Sequence, residues 1–99
     1  MSENTDEQFF VRADAHIQLA NKQLTDSPRE NVCASFMFAA ARFSSWENAC
    51  DAQTREQMVT HRDEAIAYFA EQYRLMLEHH MDDYIENFDT YMNIQSAEE

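Results

Sequence analysis

The stretch best equipped for chemistry in this 99-residue chain is Glu78-His79-His80-Met81-Asp82-Asp83. Imidazole and carboxylate are ligand types for divalent cations. On a helix, His79 and Asp83 stand at i, i+4 and His80 and Asp83 at i, i+3, so each pair shares a face. His79, His80, Asp82 and Asp83 are therefore the candidate metal ligands, and a metal- or small-ligand-binding bundle is one functional reading. The same residues also suit a solvated helix end, because paired aspartates are good N-caps and histidines suit the negative end of a helix dipole. A di-iron carboxylate bundle is a poor match, since it needs paired Glu-x-x-His motifs, and the chain contains none. H-E-x-x-H is missing as well, which removes the zinc-peptidase reading.

Other polar clusters carry less. His61-Arg62-Asp63-Glu64 reads as a charged helix face, and His16, between Ala15 and Ile17, as a boundary residue. No Ser, Cys and His pattern marks a nucleophile with its base, so no catalytic residue and no cofactor is assigned, and the chain leans away from being an enzyme. The chain has no Gly and one Pro. Without Gly it lacks the usual residue for primed hairpin turns and phosphate-cradling loops, which argues for helices joined by short polar turns.

The formal charge is -12, and no Lys or Arg follows Arg74. Such a surface repels phosphate backbones, so ordinary nucleic-acid binding is disfavoured. Solubility explains an acidic balance, with DNA mimicry a special case. The longest uninterrupted apolar run, Phe36 to Ala41, is too short to span a bilayer. MSENTDEQ has neither a basic n-region nor an apolar h-region, so no secretory signal is expected and the expected location is cytoplasmic. Cys33 and Cys50 would lie roughly 25 Å apart on one helix, too far for a disulfide within it. They read as reduced, mainly buried thiols.

These side chains need elements to position them, and the spacing predicts an all-α antiparallel bundle in a single domain over 1–99, frayed at 1–4 and 95–99. Ser or Thr N-caps with Glu or Gln three residues on, at Thr5, Ser27 and Thr54, mark three helix starts, the second with Pro28 at the first helical position. Ser44 with Glu47 fits the same pattern, yet apolar spacing runs on through Trp46 and Cys50, so it is read as a chance match. The three main helices are expected at about 6–24, 28–50 and 55–79, and a short connection at 25–27 sends the second back against the first. The second, NVCASFMFAAARFSSWENAC, is apolar around most of its circumference, which places it centrally with Phe36, Phe43 and Trp46 buried. Arg42 either lays its stem along the core and reaches solvent, pairs with Asp14 or Asp63, or binds a ligand.

The apolar pattern runs past His79-His80 through Met81, Tyr84, Ile85, Phe88, Tyr91, Met92 and Ile94. One unbroken helix would be nearly 60 Å long and would overhang the bundle. Either it breaks near His80-Met81-Asp82 and a segment at about 83–94 folds back, the favoured expectation, or it continues and docks on a second copy. Tyr84, Phe88, Tyr91 and Met92 form the candidate partner surface.

The segments DEQFFVRADAHIQLAN, CASFMFAAARFSSW and REQMVTHRDEAIAYFAEQYRLMLEHHMDDYIENF together resemble a small proteobacterial family catalogued as a domain of unknown function, over Asp6 to about Met92. The resemblance implies a compact, all-helical cytoplasmic protein, and it brings no activity, cofactor or catalytic residue with it. The function expected from the residues is a small acidic helical interaction module, homodimeric in one version, whose partner is an unknown protein or a second copy, with no nucleic acid and no membrane involved.

Overall fold

Short polar connections join helices throughout. The computed structural model describes residues 5–92, and every regular element among them is an α-helix: α1 (Phe9–Gln23), α2 (Arg29–Asp51), α3 (Arg55–Thr60), α4 (Arg62–Glu86) and a further helical segment over 88–92. The all-α expectation holds. Among the described residues none has positive φ, so the turns are made without the left-handed backbone that usually calls for glycine. The expected frayed ends at 1–4 and 95–99, and the expected helix end at 94, lie outside the described residues.

Local chemistry explains the boundaries. After α1 the chain tightens: Thr25 N–H donates to the Lys22 carbonyl, Asp26 N–H to that of Gln23, and the Thr25 hydroxyl also reaches the Lys22 carbonyl at 2.8 Å. These bonds satisfy carbonyls left open at a helix C-terminus. The Thr54 signal works as read. Gln57 N–H donates to the Thr54 hydroxyl oxygen at 3.1 Å, while the Gln57 side chain accepts from Gln53 N–H at 2.8 Å. The Thr5 signal is displaced: α1 begins at Phe9 with Gln8 at its N-cap and no side-chain cap bond. Ser44 and Glu47 lie within α2, as the apolar spacing required, and the Ser45 hydroxyl donates back to the Ala41 carbonyl.

The third expected helix is corrected at two points. It is interrupted at His61, where φ -99 and ψ 10 separate α3 from α4. It then runs unbroken through His79 to Asp83 and pauses only at Asn87. Asp83 does not act as an N-cap, because its carboxylate is engaged by side chains further along the chain. Upstream, Arg74 pairs with Glu71 at 2.8 Å and with Glu78, bracing that turn by i, i+3 and i, i+4 contacts.

Two compact units divide the chain, Met1–Glu47 and Asn48–Glu99. In the first, α1 and the following helix come together where the His16 and Phe36 rings lie 6.5 Å apart between centroids. Val32, at 8% exposure, is the one buried residue among those described. The expected burial of the central helix is therefore corrected: Phe36 is 37% exposed, Phe38 70%, Phe43 66% and Trp46 59%. A helix apolar around most of its circumference needs neighbours on several sides, and here much of that surface stays open. Cys33 and Cys50 are also exposed rather than buried, and both are free thiols. Arg42 is exposed, and among the described residues no ion pair joins it to Asp14. Asp14 instead accepts from Gln18, and Asp63 from Arg62. In the second unit Met58, Ala65, Phe69 and Gln72 are half-buried at helical spacing along one face of α3 and α4.

Candidate functional site

The end of α4 holds the densest cluster of polar contacts. Asp83 stands one turn before Asn87 and two turns before Tyr91. Asn87 Nδ2 donates to the Asp83 carboxylate at 2.9 Å and to the Asp83 carbonyl at 3.0 Å, and the Tyr91 hydroxyl donates to the same carboxylate at 3.1 Å. Asn87 thus closes the α4 C-terminus, its own backbone N–H also meeting the Asp83 carbonyl. Tyr91 N–H donates to the Asn87 carbonyl, so the helix resumes at once. The hydrogen bond to Asp83 raises the Tyr91 phenol above its usual range, because the ionised carboxylate stabilises the neutral phenol and repels the phenolate. The Tyr84 and Tyr91 rings pack with centroids 4.9 Å apart.

This cluster fixes what lies beside it. Tyr84, Ile85 and Phe88 are exposed, Ile85 at 70%, whereas Tyr91 and Met92 are half-buried. Of the four residues read as a partner surface, Phe88 is exposed, Tyr84 is exposed with its ring packed on that of Tyr91, and Tyr91 is tied to Asp83. Ile85 belongs with the exposed pair, and the reading by residue type passed over it. Its signal was helical spacing: once α4 runs unbroken to Glu86, Ile85 falls one turn after Met81 and three residues before Phe88.

His79, His80, Asp82 and Asp83 are not gathered. Among the described residues no three His, Cys, Asp or Glu side chains form a group that could hold a metal ion. On a continuous helix with about 100° per residue, His80 and Asp82 project to nearly opposite sides. His79 and His80 stack edge to face at 5.3 Å, and the Asp83 carboxylate is already accepting from Asn87 and Tyr91. The other perturbed groups are ion pairs on helix surfaces. The Arg12 guanidinium beside Asp6 lowers that carboxyl, Arg74 lowers Glu71, and Glu71 with Glu78 raises Arg74.

In the first unit, α1 and α2 enclose a cleft of about 460 Å³. Leu19, Ala20, Phe36, Ala39, Ala40 and Phe43 supply its apolar walls, with His16, Gln23 and Ser44 as its polar members. No described helix is long and apolar enough to cross a membrane.

The comparisons with known proteins agree with this architecture. The family described as "Protein of unknown function (DUF3144)" matches residues 9–85. The chain is similar to the protein NB7890A from Shewanella sp., whose structure was solved by NMR. The two are 40% identical over 92% of this chain and 97% of that one, with a TM-score of 0.74. No curated protein matches the chain.

Proposed function

This chain belongs to the family described as Protein of unknown function (DUF3144), and we propose that it works as one small helical interaction module, located in the cytoplasm, that presents apolar side chains to a partner protein. The reading rests most on the exposed Tyr84, Ile85 and Phe88 beside a polar clamp made by Asp83, Asn87 and Tyr91. A surface patch held in place by its own hydrogen bonds loses little conformational entropy on docking. Large apolar side chains that stay in water forfeit about 1.5–3 kcal/mol each, which a partner's groove would recover.

Charge sets the kind of partner. Glu78, Asp82, Glu86 and Asp89 lie close to the patch along the chain, and no Lys or Arg follows Arg74. The complementary surface is an apolar groove rimmed by Lys or Arg. Self-association through this patch is opposed, because two copies would bring like charges together.

The test compares the wild-type chain with Ile85→Asp and Tyr91→Phe as immobilised baits. Any protein retained by wild type is then purified and titrated against all three. The reading expects binding abolished by Ile85→Asp, weakened by Tyr91→Phe, and reduced by added salt. A purified partner that binds Ile85→Asp as tightly as wild type would refute the assignment of this patch.

A further inference from the structure

The α1–α2 cleft differs from the rest of the chain in one respect. In a molecule of net charge -12, none of its lining residues is Asp, Glu, Lys or Arg. An isologous interface sets the same patch of two copies face to face, so a patch carrying charge of one sign meets more of the same sign. A patch free of formal charge escapes that repulsion, and this cleft is such a patch. The end of α4, with Asp82, Glu86 and Asp89 within about one turn of Ile85, is not.

The area suits a weak, reversible contact. With Phe43 66%, Trp46 59%, Phe36 37% and Leu19 55% exposed, and aromatic side chains carrying about 150–250 Å² each, these four offer roughly 400–450 Å² of accessible surface per copy, the size of a small, transient interface. Phe43, in the wall of the cleft, packs against Trp46 with ring centroids 5.3 Å apart, so the two rings form one aromatic ridge. Ala39 and Ala40 leave room for an incoming side chain, since small residues let helices approach closely.

We propose that the occupant of this cleft is a second copy of the chain: two α1–α2 pairs meet face to face, each inserting its Phe43 ridge into the other's cleft to complete a four-helix core. This goes beyond a partner surface at the end of α4 and uses a separate face. The apolar circumference of α2 is thereby covered by the neighbours it lacks within its own unit.

Sedimentation equilibrium on the full chain tests this, from low micromolar to submillimolar concentration, for wild type, Phe43→Asp and Ile85→Asp. Phe43 is largely exposed in the single chain, so its replacement leaves the monomer helical, which circular dichroism verifies. The expected result is a monomer–dimer equilibrium in wild type, weakened about tenfold or more by Phe43→Asp, as for loss of an interface anchor, and unchanged by Ile85→Asp. A wild-type monomer across the whole range would overturn the proposal. So would a dimer weakened by Ile85→Asp and indifferent to Phe43→Asp. A monomer whose cleft takes up an apolar dye such as anilinonaphthalene sulfonate, with uptake lost in Phe43→Asp, would mark a small-molecule site and overturn it equally. Failure at Phe43 leaves the α4 patch untouched, because that patch is read out by Ile85.

Discussion

The Tyr91 hydroxyl donates to the Asp83 carboxylate at 3.1 Å, joining residues eight apart across the interruption at Asn87. A helix that simply continued would place these positions about 12 Å apart along its axis. The hydrogen bond is therefore a signature of how the 88–92 segment sits against the end of α4. Its titration is the first consequence. The Tyr91 phenol ionises above the ordinary value near pH 10, and the sign follows from the bond: it is fully present below that pH and lost as pH rises through the folded-state value. Ultraviolet difference titration of the chain, with its four tyrosines, should show one component displaced to high pH. Asp83→Asn should bring that component back towards the ordinary range.

Removing the hydroxyl tests the clamp itself. Tyr91→Phe keeps the ring against Tyr84 and deletes the bond to Asp83. Amide exchange should accelerate over 88–92 and around Asn87, with α1 and α2 unchanged, because local opening follows local contacts. Uniform acceleration along the whole chain would argue against a local role.

Thr54 supplies an independent check of the fold. Its hydroxyl oxygen accepts from Gln57 N–H at the start of α3. Thr54→Ala should lower stability by about 1 kcal/mol, the usual loss for an N-cap, measurable by denaturant titration. Thr54→Ser should restore most of it.

The two lowered carboxyls give a pH prediction of opposite sign to that of Tyr91. Asp6 is lowered by its hydrogen bond and charge contact with Arg12, and Glu71 by its contacts with Arg74. The contribution of each is present above the ordinary carboxylate range and lost as pH falls through the lowered folded-state value. Both pairs are exposed, so the effect on stability is small. Carboxyl resonances followed by NMR should place both below their ordinary values, and Arg12→Gln should return Asp6 alone.

His80 and Asp82 face nearly opposite ways on α4 and the Asp83 carboxylate already accepts from Asn87 and Tyr91, which leads to a metal prediction. Calorimetric titration with zinc, manganese or nickel should give no saturable heat at micromolar concentration. A saturable site abolished by His80→Ala would show that the cluster gathers around an ion.

Much of this architecture is legible in the sequence. The absence of glycine, the Thr54 cap and the unbroken apolar spacing through Trp46 led directly to helices, and the shift to α3 after Asp51 followed from the same signals. The Asp82-Asp83 pair misled because an aspartate can equally serve as an N-cap or accept hydrogen bonds within a helix, and only the partners decide. Those partners, Asn87 and Tyr91, lie four and eight residues on, at spacings where a helical side-chain contact leaves no distinctive motif. Nor does apolarity around α2 say what covers it. Sequence requires neighbours for Phe36, Phe43 and Trp46 without stating whether they belong to the same copy.

The chain's single tryptophan lies on that open face and reports on it most directly. Acrylamide quenching of Trp46 fluorescence, followed from nanomolar to submillimolar protein, should show an accessible indole when dilute that becomes protected and blue-shifted as concentration rises, with the change absent in Phe43→Asp. An indole already shielded at the lowest concentration, and indifferent to dilution, would mean that a single copy buries its own α2 face and would contradict the account.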